Sequence, residues 1–195
     1  MWTGRRAGAD GPEGSAVAHV RLPEGLPGIL GPLRQFPATG RPLRELTEVL
    51  LRGPSSLNPG EREMIAAFVS SRNGCLFCAE SHAAAARHLL GDDADLVDLA
   101  SANPEAGVLS PKMRALLAIA GKVQRDARTV NAADVQRARA AGADDQAIHD
   151  TVLVAAAFCM VNRYVDGLAT WAPSDPDAYV HIGKRLAEEG YMRAA

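Results

Sequence analysis

Eight segments of this chain repeat apolar residues with the period of an α-helix, and glycine or proline separates nearly every segment from the next. Because glycine and proline end helices, the pattern predicts a series of separate helices. Aromatic residues make up only 5% of the chain while alanine is abundant, which favours closely packed helices over a sheet. The expected fold class is all-α. The predicted helices are 43–51, 61–72, 76–90, 93–100, 112–125, 132–140, 145–170 and 177–189.

The chain is expected to contain one helical domain, over residues 17–195, after a flexible arm over residues 1–16. The arm is rich in glycine, alanine and charge without periodicity, so it cannot bury enough apolar surface to offset the entropy of ordering. Residues 20–42 carry five prolines among apolar side chains. This stretch predicts short turns wrapped on the helical body.

Charge and hydropathy exclude several partners. The chain has 21 Lys+Arg against 23 Asp+Glu, without the basic excess that binds nucleic acid or an anionic lipid surface. No window approaches the roughly 20 apolar residues that span a bilayer. Arg5 and Arg6 are not followed by the apolar stretch of a secretory signal. The sequence therefore predicts a cytoplasmic protein that binds neither nucleic acid nor membrane.

A weak internal repeat suggests two related helical hairpins. Residues 57–62 (Leu-Asn-Pro-Gly-Glu-Arg) are echoed by residues 109–114 (Leu-Ser-Pro-Lys-Met-Arg), and in each copy a polar N-cap precedes proline at the first helical position. In the second copy, alanine takes the position that matches Glu63, and the two cysteine positions carry alanine and valine. Chemistry is therefore expected in the first copy only, within the core motif 57–91.

The first copy holds Glu63, Cys75, Cys78 and His82. At about 100° per residue, the cysteines and the histidine share a stripe about 60° wide on one helix. If two helices fold back antiparallel about Asn73–Gly74, Glu63 comes level with His82.

Two thiols close together at a helix start, with a histidine one turn away, suit thiol redox chemistry. The helix dipole acts most strongly on Cys75, whereas His82 lies at i, i+4 from Cys78. Spacing alone therefore leaves open which sulfur attacks.

The spacing of these four residues, with the surrounding run Arg-Asn-Gly-Cys-Leu-Phe-Cys-Ala-Glu-Ser-His over residues 72–82, resembles the motif of the alkylhydroperoxidase D-like (AhpD-like) branch of the carboxymuconolactone decarboxylase superfamily. The resemblance extends loosely from about Leu22 to Leu186. The proline-rich entry and residues 162–167 resemble the uncharacterised, peroxidase-related members. One position departs: the best-studied branch has a further histidine between the cysteines, where this chain has Phe77.

The resemblance implies an all-helical AhpD-like bundle that forms homo-oligomers and reduces a hydroperoxide substrate with a dithiol or redox protein as reductant. It implies that Cys78 is the peroxidatic nucleophile and Cys75 the resolving thiol. Glu63 and His82 would form a proton relay that deprotonates Cys78 and later protonates the leaving hydroxide. No metal or other cofactor is required.

The same residues allow other interpretations. A zinc site would need four ligands, and here only the two cysteines, His82 and Glu63 converge; the sulfurs could also be small buried packing groups.

The predicted helix 145–170 carries further candidates. Cys159 is expected in the core. Arg163 and Asp166 are expected to form an ion pair, with Asn162 beside them, and the alternative for these three residues is a site wall or a subunit contact. For the whole protein, the rivals are a redox sensor or scaffold without turnover and a carboxymuconolactone decarboxylase-type enzyme.

Overall fold

The computed structural model describes residues 18–193, and within them it contains helices, turns and no strand. The all-α prediction is confirmed, while the predicted arm over residues 1–16 lies outside the described residues. The α-helices are α1 (Leu30–Gln35), α2 (Pro37–Arg52), α3 (Pro59–Asn73), α4 (Leu76–Leu90), α5 (Asp95–Ala102), α6 (Pro111–Asp126), α7 (Ala132–Ala140), α8 (Asp145–Gly167) and α9 (Pro176–Glu189). Short 3-10 turns follow α4 and α6.

The two repeated segments begin α3 and α6 in the same way. The Asn58 side chain accepts a hydrogen bond from the backbone N–H of Glu61, and the Glu61 carboxylate accepts one from the N–H of Asn58, which forms a capping box. Ser110 caps α6 by accepting from the N–H of Met113. Proline follows the cap in both helices. The repeat therefore holds at these helix starts, whereas the following helices differ, since α4 has 15 residues and α7 has 9.

The proline-rich stretch is more helical than predicted. It contains α1 and the first six residues of α2, where the sequence predicted only turns before residue 43. Pro37 occupies the first turn of α2, where a missing N–H costs nothing. Pro42 lies inside the helix and removes one backbone hydrogen bond, but α2 continues to Leu50 and Leu51, which are buried in the core. Tertiary burial thus outweighs the local cost of one proline.

Helix α3 is the centre of the bundle. It is buried along most of its length and contacts α2, α4, α5, α6 and α8. Phe68 and Ile65 of α3 meet Leu116, Leu117 and Val154 of the neighbouring helices in one main core cluster. Gly74 ends α3 in the left-handed conformation (φ 74°), so α4 turns back along α3. Helix α9 packs on the other side of α4.

Close contact between α4 and α9 depends on Gly183. A Cβ atom at Gly183 would lie 2.5 Å from the backbone carbonyl carbon of Ala84 in α4. We expect Gly183→Ala to lower the free energy of unfolding by about 1–3 kcal/mol, although alanine has the higher helix propensity. Gly107→Ala is the control, because a Cβ atom there has no neighbour within 4 Å. Urea unfolding of both variants measures the difference, and equal midpoints would contradict the assigned contact.

Candidate active site

The start of α4 carries both cysteines of the motif. Cys75 is the N-cap residue of α4, Cys78 lies in its first turn, and His82 follows one turn later. Both cysteines are free thiols with only 1% of their surface exposed, and His82 is 7% exposed. Local helix geometry thus places the three side chains on one buried face, as the sequence predicts.

Glu63 lies on α3 directly opposite His82. Its side chain is fully buried, and its Oε2 atom is 2.6 Å from Nδ1 of His82. The contact exists because the α3–α4 hairpin turns at Gly74 and brings residues on either side of the turn to the same level. The predicted proximity of Glu63 and His82 is confirmed.

Two further residues complete this buried cluster, and sequence reasoning missed both. Arg52 at the end of α2 donates from Nη2 to Oε1 of Glu63 at 2.6 Å. The hydroxyl of Tyr191, after α9, donates to the same oxygen at 2.5 Å and lies 3.2 Å from Nδ1 of His82. Arg52 also donates to the Leu186 carbonyl and lies over the Tyr191 ring. Neither residue belongs to a motif, and the only sequence signal is an aromatic residue just after the glycine that ends α9.

These contacts keep Glu63 ionised. Burial opposes its negative charge, but the charge of a protonated His82, its hydrogen bond, and Arg52 together lower the pKa of Glu63 below its ordinary value. Burial and the neighbouring carboxylate raise the pKa of Tyr191, so Tyr191 stays a phenol and donates. Since Glu63 can only accept, neutral His82 carries its proton on Nδ1, which leaves Nε2 as its basic nitrogen.

The surroundings of Cys75 favour its protonated, thiol form. Its interaction with the Cys78 thiol, burial, and the charge of Asp166 raise the pKa of Cys75, so Cys75 is held as a thiol. These effects outweigh the helix dipole, which on its own would favour a thiolate at Cys75.

Asp166 is accordingly not the partner of Arg163. The predicted ion pair between these residues is wrong: Arg163 donates to the carbonyl of Cys159 at 2.8 Å, and the Asp166 carboxyl interacts with Cys75 instead. The i, i+3 spacing of Arg163 and Asp166 would allow an ion pair, but the Asp166 side chain instead contacts Cys75 at the start of α4. The alternative interpretation of Asp166 as a wall of the site fits this position.

Apolar side chains cover the cysteines. Phe77, Tyr179 and Val165 form one buried cluster with Cys75 and Cys78. The Phe77 and Tyr179 rings lie 6.4 Å apart, centroid to centroid. Gly28 has a φ of 55° and touches the Phe77 ring so closely that no side chain would fit. The segment before α1 thus lies over the site where the best-studied branch has its additional histidine.

The remaining sequence candidates have structural partners. Asn162 is buried, donates to Ser70 Oγ at 3.1 Å and accepts from Asn73 Nδ2 at 2.8 Å, so it ties α8 to the α3–α4 turn. Cys159 packs against the main core, as expected.

Two further observations concern metal and membrane. Across residues 18–193, no three His, Cys, Asp or Glu side chains are arranged to hold a metal ion. None of the helices in this range is both long and apolar enough to cross a bilayer.

Comparison with known proteins gives one family match and several similar solved structures. The sequence model of the Carboxymuconolactone decarboxylase family matches residues 37–103, which include all four residues of the motif. The fold is similar to an uncharacterised peroxidase-related protein from Ralstonia eutropha JMP134 with an alkylhydroperoxidase AhpD core. That match has a TM-score of 0.75 and 25% identity, and it covers 87% of this chain and 97% of that chain.

Two other solved structures agree. An uncharacterised peroxidase-related protein from Silicibacter sp. TM1040 is 26% identical with a TM-score of 0.72, over 87% of this chain and 97% of that one. A protein of unknown function from Agrobacterium tumefaciens shares the fold at a TM-score of 0.66 and 23% identity, over 76% and 99% of the chains. No curated protein sequence matches the chain significantly.

In its all-helical fold and its motif-bearing hairpin, the chain is similar to the carboxymuconolactone decarboxylase superfamily. The solved structures that it resembles include peroxidase-related proteins, one of them with an AhpD core.

Proposed function

We propose that this protein is a thiol-dependent hydroperoxide reductase in which Cys78 attacks, Cys75 resolves, and Glu63 and His82 relay the proton. The observation that carries the proposal is the buried, hydrogen-bonded Glu63–His82 pair on the same hairpin as two free, adjacent thiols. A structural pair of cysteines needs no ionised carboxylate and histidine beside it.

The first half-reaction oxidises Cys78. Nε2 of His82 takes the thiol proton, directly or through a water molecule, and the thiolate attacks the terminal oxygen of the hydroperoxide. An S–O bond forms and the O–O bond breaks, which leaves Cys78 as a sulfenic acid. The departing alkoxide takes the proton from His82 and leaves as the alcohol.

The second half-reaction uses Cys75. Its sulfur attacks the Cys78 sulfur, the S–S bond forms, the S–O bond breaks, and the hydroxide leaves as water with the Cys75 proton. A cellular dithiol then reduces the disulfide by exchange and is itself oxidised. The raised pKa of Cys75 supports this division of roles, because the resolving thiol need not ionise before Cys78 is oxidised. We also propose that the protein works as a homo-oligomer.

Intact mass spectrometry tests the proposal directly. One equivalent of organic hydroperoxide should lower the mass of the reduced protein by about 2 Da through a Cys75–Cys78 link that a dithiol reverses. The Cys159→Ser variant is the control and should respond like the wild type, since Cys159 packs against the main core. A link that involves Cys159, or an unchanged mass, would contradict the mechanism.

Counting turnovers separates the enzyme from the redox sensor. With excess dithiol, an enzyme consumes many equivalents of hydroperoxide per subunit, whereas a sensor stops near one and changes its elution volume on oxidation. Consumption limited to one equivalent would overturn the proposed function in favour of the sensor.

A further inference from the structure

Disulfide formation needs an acceptor for the proton of Cys75. Its interaction with Cys78, burial and the charge of Asp166 raise the pKa of Cys75, so this sulfur is a thiol at neutral pH. The thiolate, and not the thiol, is the nucleophile in sulfur exchange. The proton must therefore leave as the attack begins, and it needs a base in contact with Cys75.

The carboxylate of Asp166 is in contact with that proton. Burial raises the pKa of Asp166, and the hydrogen bond that the carboxylate accepts from the Cys75 thiol opposes this rise. The contact arises where the end of α8 meets the start of α4, because Val165 packs with Cys75 and Cys78 in one buried cluster. Asp166 follows Val165 directly, so helix packing holds the carboxylate beside Cys75.

No other side chain among residues 18–193 binds the Asp166 carboxylate. Arg163, on the same helix, donates to a backbone carbonyl of α8 instead. On α9, the hydroxyl of Tyr179 donates to a backbone carbonyl at 2.9 Å. Burial and the charge of Glu80 raise the pKa of Tyr179 to about 12, so this neighbour stays neutral. The Asp166 carboxylate is thus available to take a proton.

His82 is less well placed to accept the proton of Cys75. It follows Cys75 by seven positions, which is about 10 Å along a helix axis, and its ring contacts Glu63 and Phe158. Asp166, in contrast, joins Cys75 to solvent, since Cys75 is only 1% exposed and Asp166 lies at the surface. A proton from the buried thiol can therefore reach water through Asp166.

We propose that Asp166 is the general base for disulfide formation, which accepts the Cys75 proton as the Cys75 sulfur attacks Cys78. The S–S bond forms and the S–O bond of the sulfenic acid breaks. Asp166 then passes the proton to the departing hydroxide, which leaves as water, and the carboxylate is restored. Each cysteine thus has its own base, His82 for Cys78 and Asp166 for Cys75. The inference rests on the proposed roles of the two cysteines.

A disulfide probe tests the inference without hydroperoxide. All proteins in this test carry Cys159→Ser, so that only Cys75 and Cys78 can react with an equimolar amount of dipyridyl disulfide. Attack by Cys78 releases a first pyridinethione, and attack by Cys75 on the resulting mixed disulfide releases a second. Stopped-flow absorbance follows both phases, and mass spectrometry between them should find the probe at Cys78. The rate of the second phase measures attack by Cys75.

Asp166→Asn should slow the second phase by about 10²-fold at neutral pH and leave the first phase unchanged. If Asp166 acted only as a nearby charge, its removal would lower the pKa of Cys75 and speed the second phase. Asp145→Asn, which removes an exposed carboxylate at the other end of α8, is the matched control and should react like the parent. A second phase that is unchanged or faster in Asp166→Asn would overturn the proposal.

The pH profile of the second phase gives another measurement. With Asp166 as base, the parent rate should be level across neutral pH and should fall at acid pH, with a midpoint above the ordinary carboxyl pKa of 3.8. In Asp166→Asn the rate should instead rise about tenfold per pH unit, because attack then requires the Cys75 thiolate. Parallel profiles in the two proteins would contradict a base at Asp166.

The same variants distinguish this inference from the proposed function. Hydroperoxide turnover by the wild type, together with equal second phases in the parent and Asp166→Asn, would refute the inference alone. A slowed second phase in a protein that consumes no hydroperoxide would refute the proposed function alone. Where both hold, Asp166→Asn should accumulate sulfenic acid at Cys78 during turnover.

Discussion

The Cys78→Ser protein should consume no hydroperoxide above the rate of buffer alone, while Cys75→Ser should consume one equivalent and stop. Serine at 78 removes the proposed nucleophile, and a hydroxyl is far too weak an acid to replace the thiol. Serine at 75 leaves the first half-reaction intact but removes the sulfur that forms the disulfide. The two variants thus separate attack from resolution, which the shared helix face alone does not.

Rapid mixing with limiting hydroperoxide, followed by a sulfenic acid-specific label, measures both outcomes. Label should accumulate at Cys78 in Cys75→Ser and not in Cys78→Ser. The Cys159→Ser variant should turn over at the wild-type rate. Label at Cys75, or full activity in Cys78→Ser, would reverse or refute the assignment.

Replacement of Glu63 by glutamine should slow turnover by about 10²–10⁴-fold. Glutamine can still accept from Arg52 and Tyr191 through its oxygen, but its amide nitrogen then faces His82 and donates to Nδ1. That forces the histidine proton onto Nε2, so the proposed base for Cys78 is lost.

Tyr191→Phe keeps the Glu63 carboxylate and removes one of its hydrogen-bond donors. We expect a smaller loss of turnover, and the acid limb of the pH–rate profile should move to higher pH because the pKa of Glu63 rises.

The Glu63→Gln variant should have a free energy of unfolding about 3–5 kcal/mol below that of the wild type, because Arg52 loses its buried counterion. The folded pKa of Glu63 lies below its ordinary value of 4.5, so the unfolded chain binds the proton first as the pH falls. The stabilisation is therefore complete above pH 4.5 and is lost as the pH falls through the folded pKa. Urea unfolding at several pH values measures this, with the exposed Glu45→Gln as control. A stability difference that stays constant from neutral to acid pH would contradict the ionised state of Glu63.

Sequence patterns located most helices because their starts and ends are local. The predicted ranges 76–90 and 132–140 match α4 and α7 residue for residue. The prediction failed at α1 and at the start of α2. Prolines in this stretch disfavour a helix, but the burial of Leu50 and Leu51 further along α2 stabilises it. The predicted Arg163–Asp166 ion pair was also wrong, because spacing on one helix face does not reveal that the Cys159 carbonyl accepts the hydrogen bond from Arg163.

The sequence by itself determined how the four motif residues are arranged on the hairpin. Helix periodicity aligns Cys75, Cys78 and His82, and a turn at Gly74 brings Glu63 to His82, because all these relations span fewer than about 20 residues along two adjoining helices. Only the tertiary structure decided the charge state of that site. Arg52 reaches Glu63 across the loop between α2 and α3, and Tyr191 reaches it from 128 residues away, so helix periodicity encodes neither contact. The same holds for Asp166 beside Cys75, since this contact depends on how α8 packs against the start of α4.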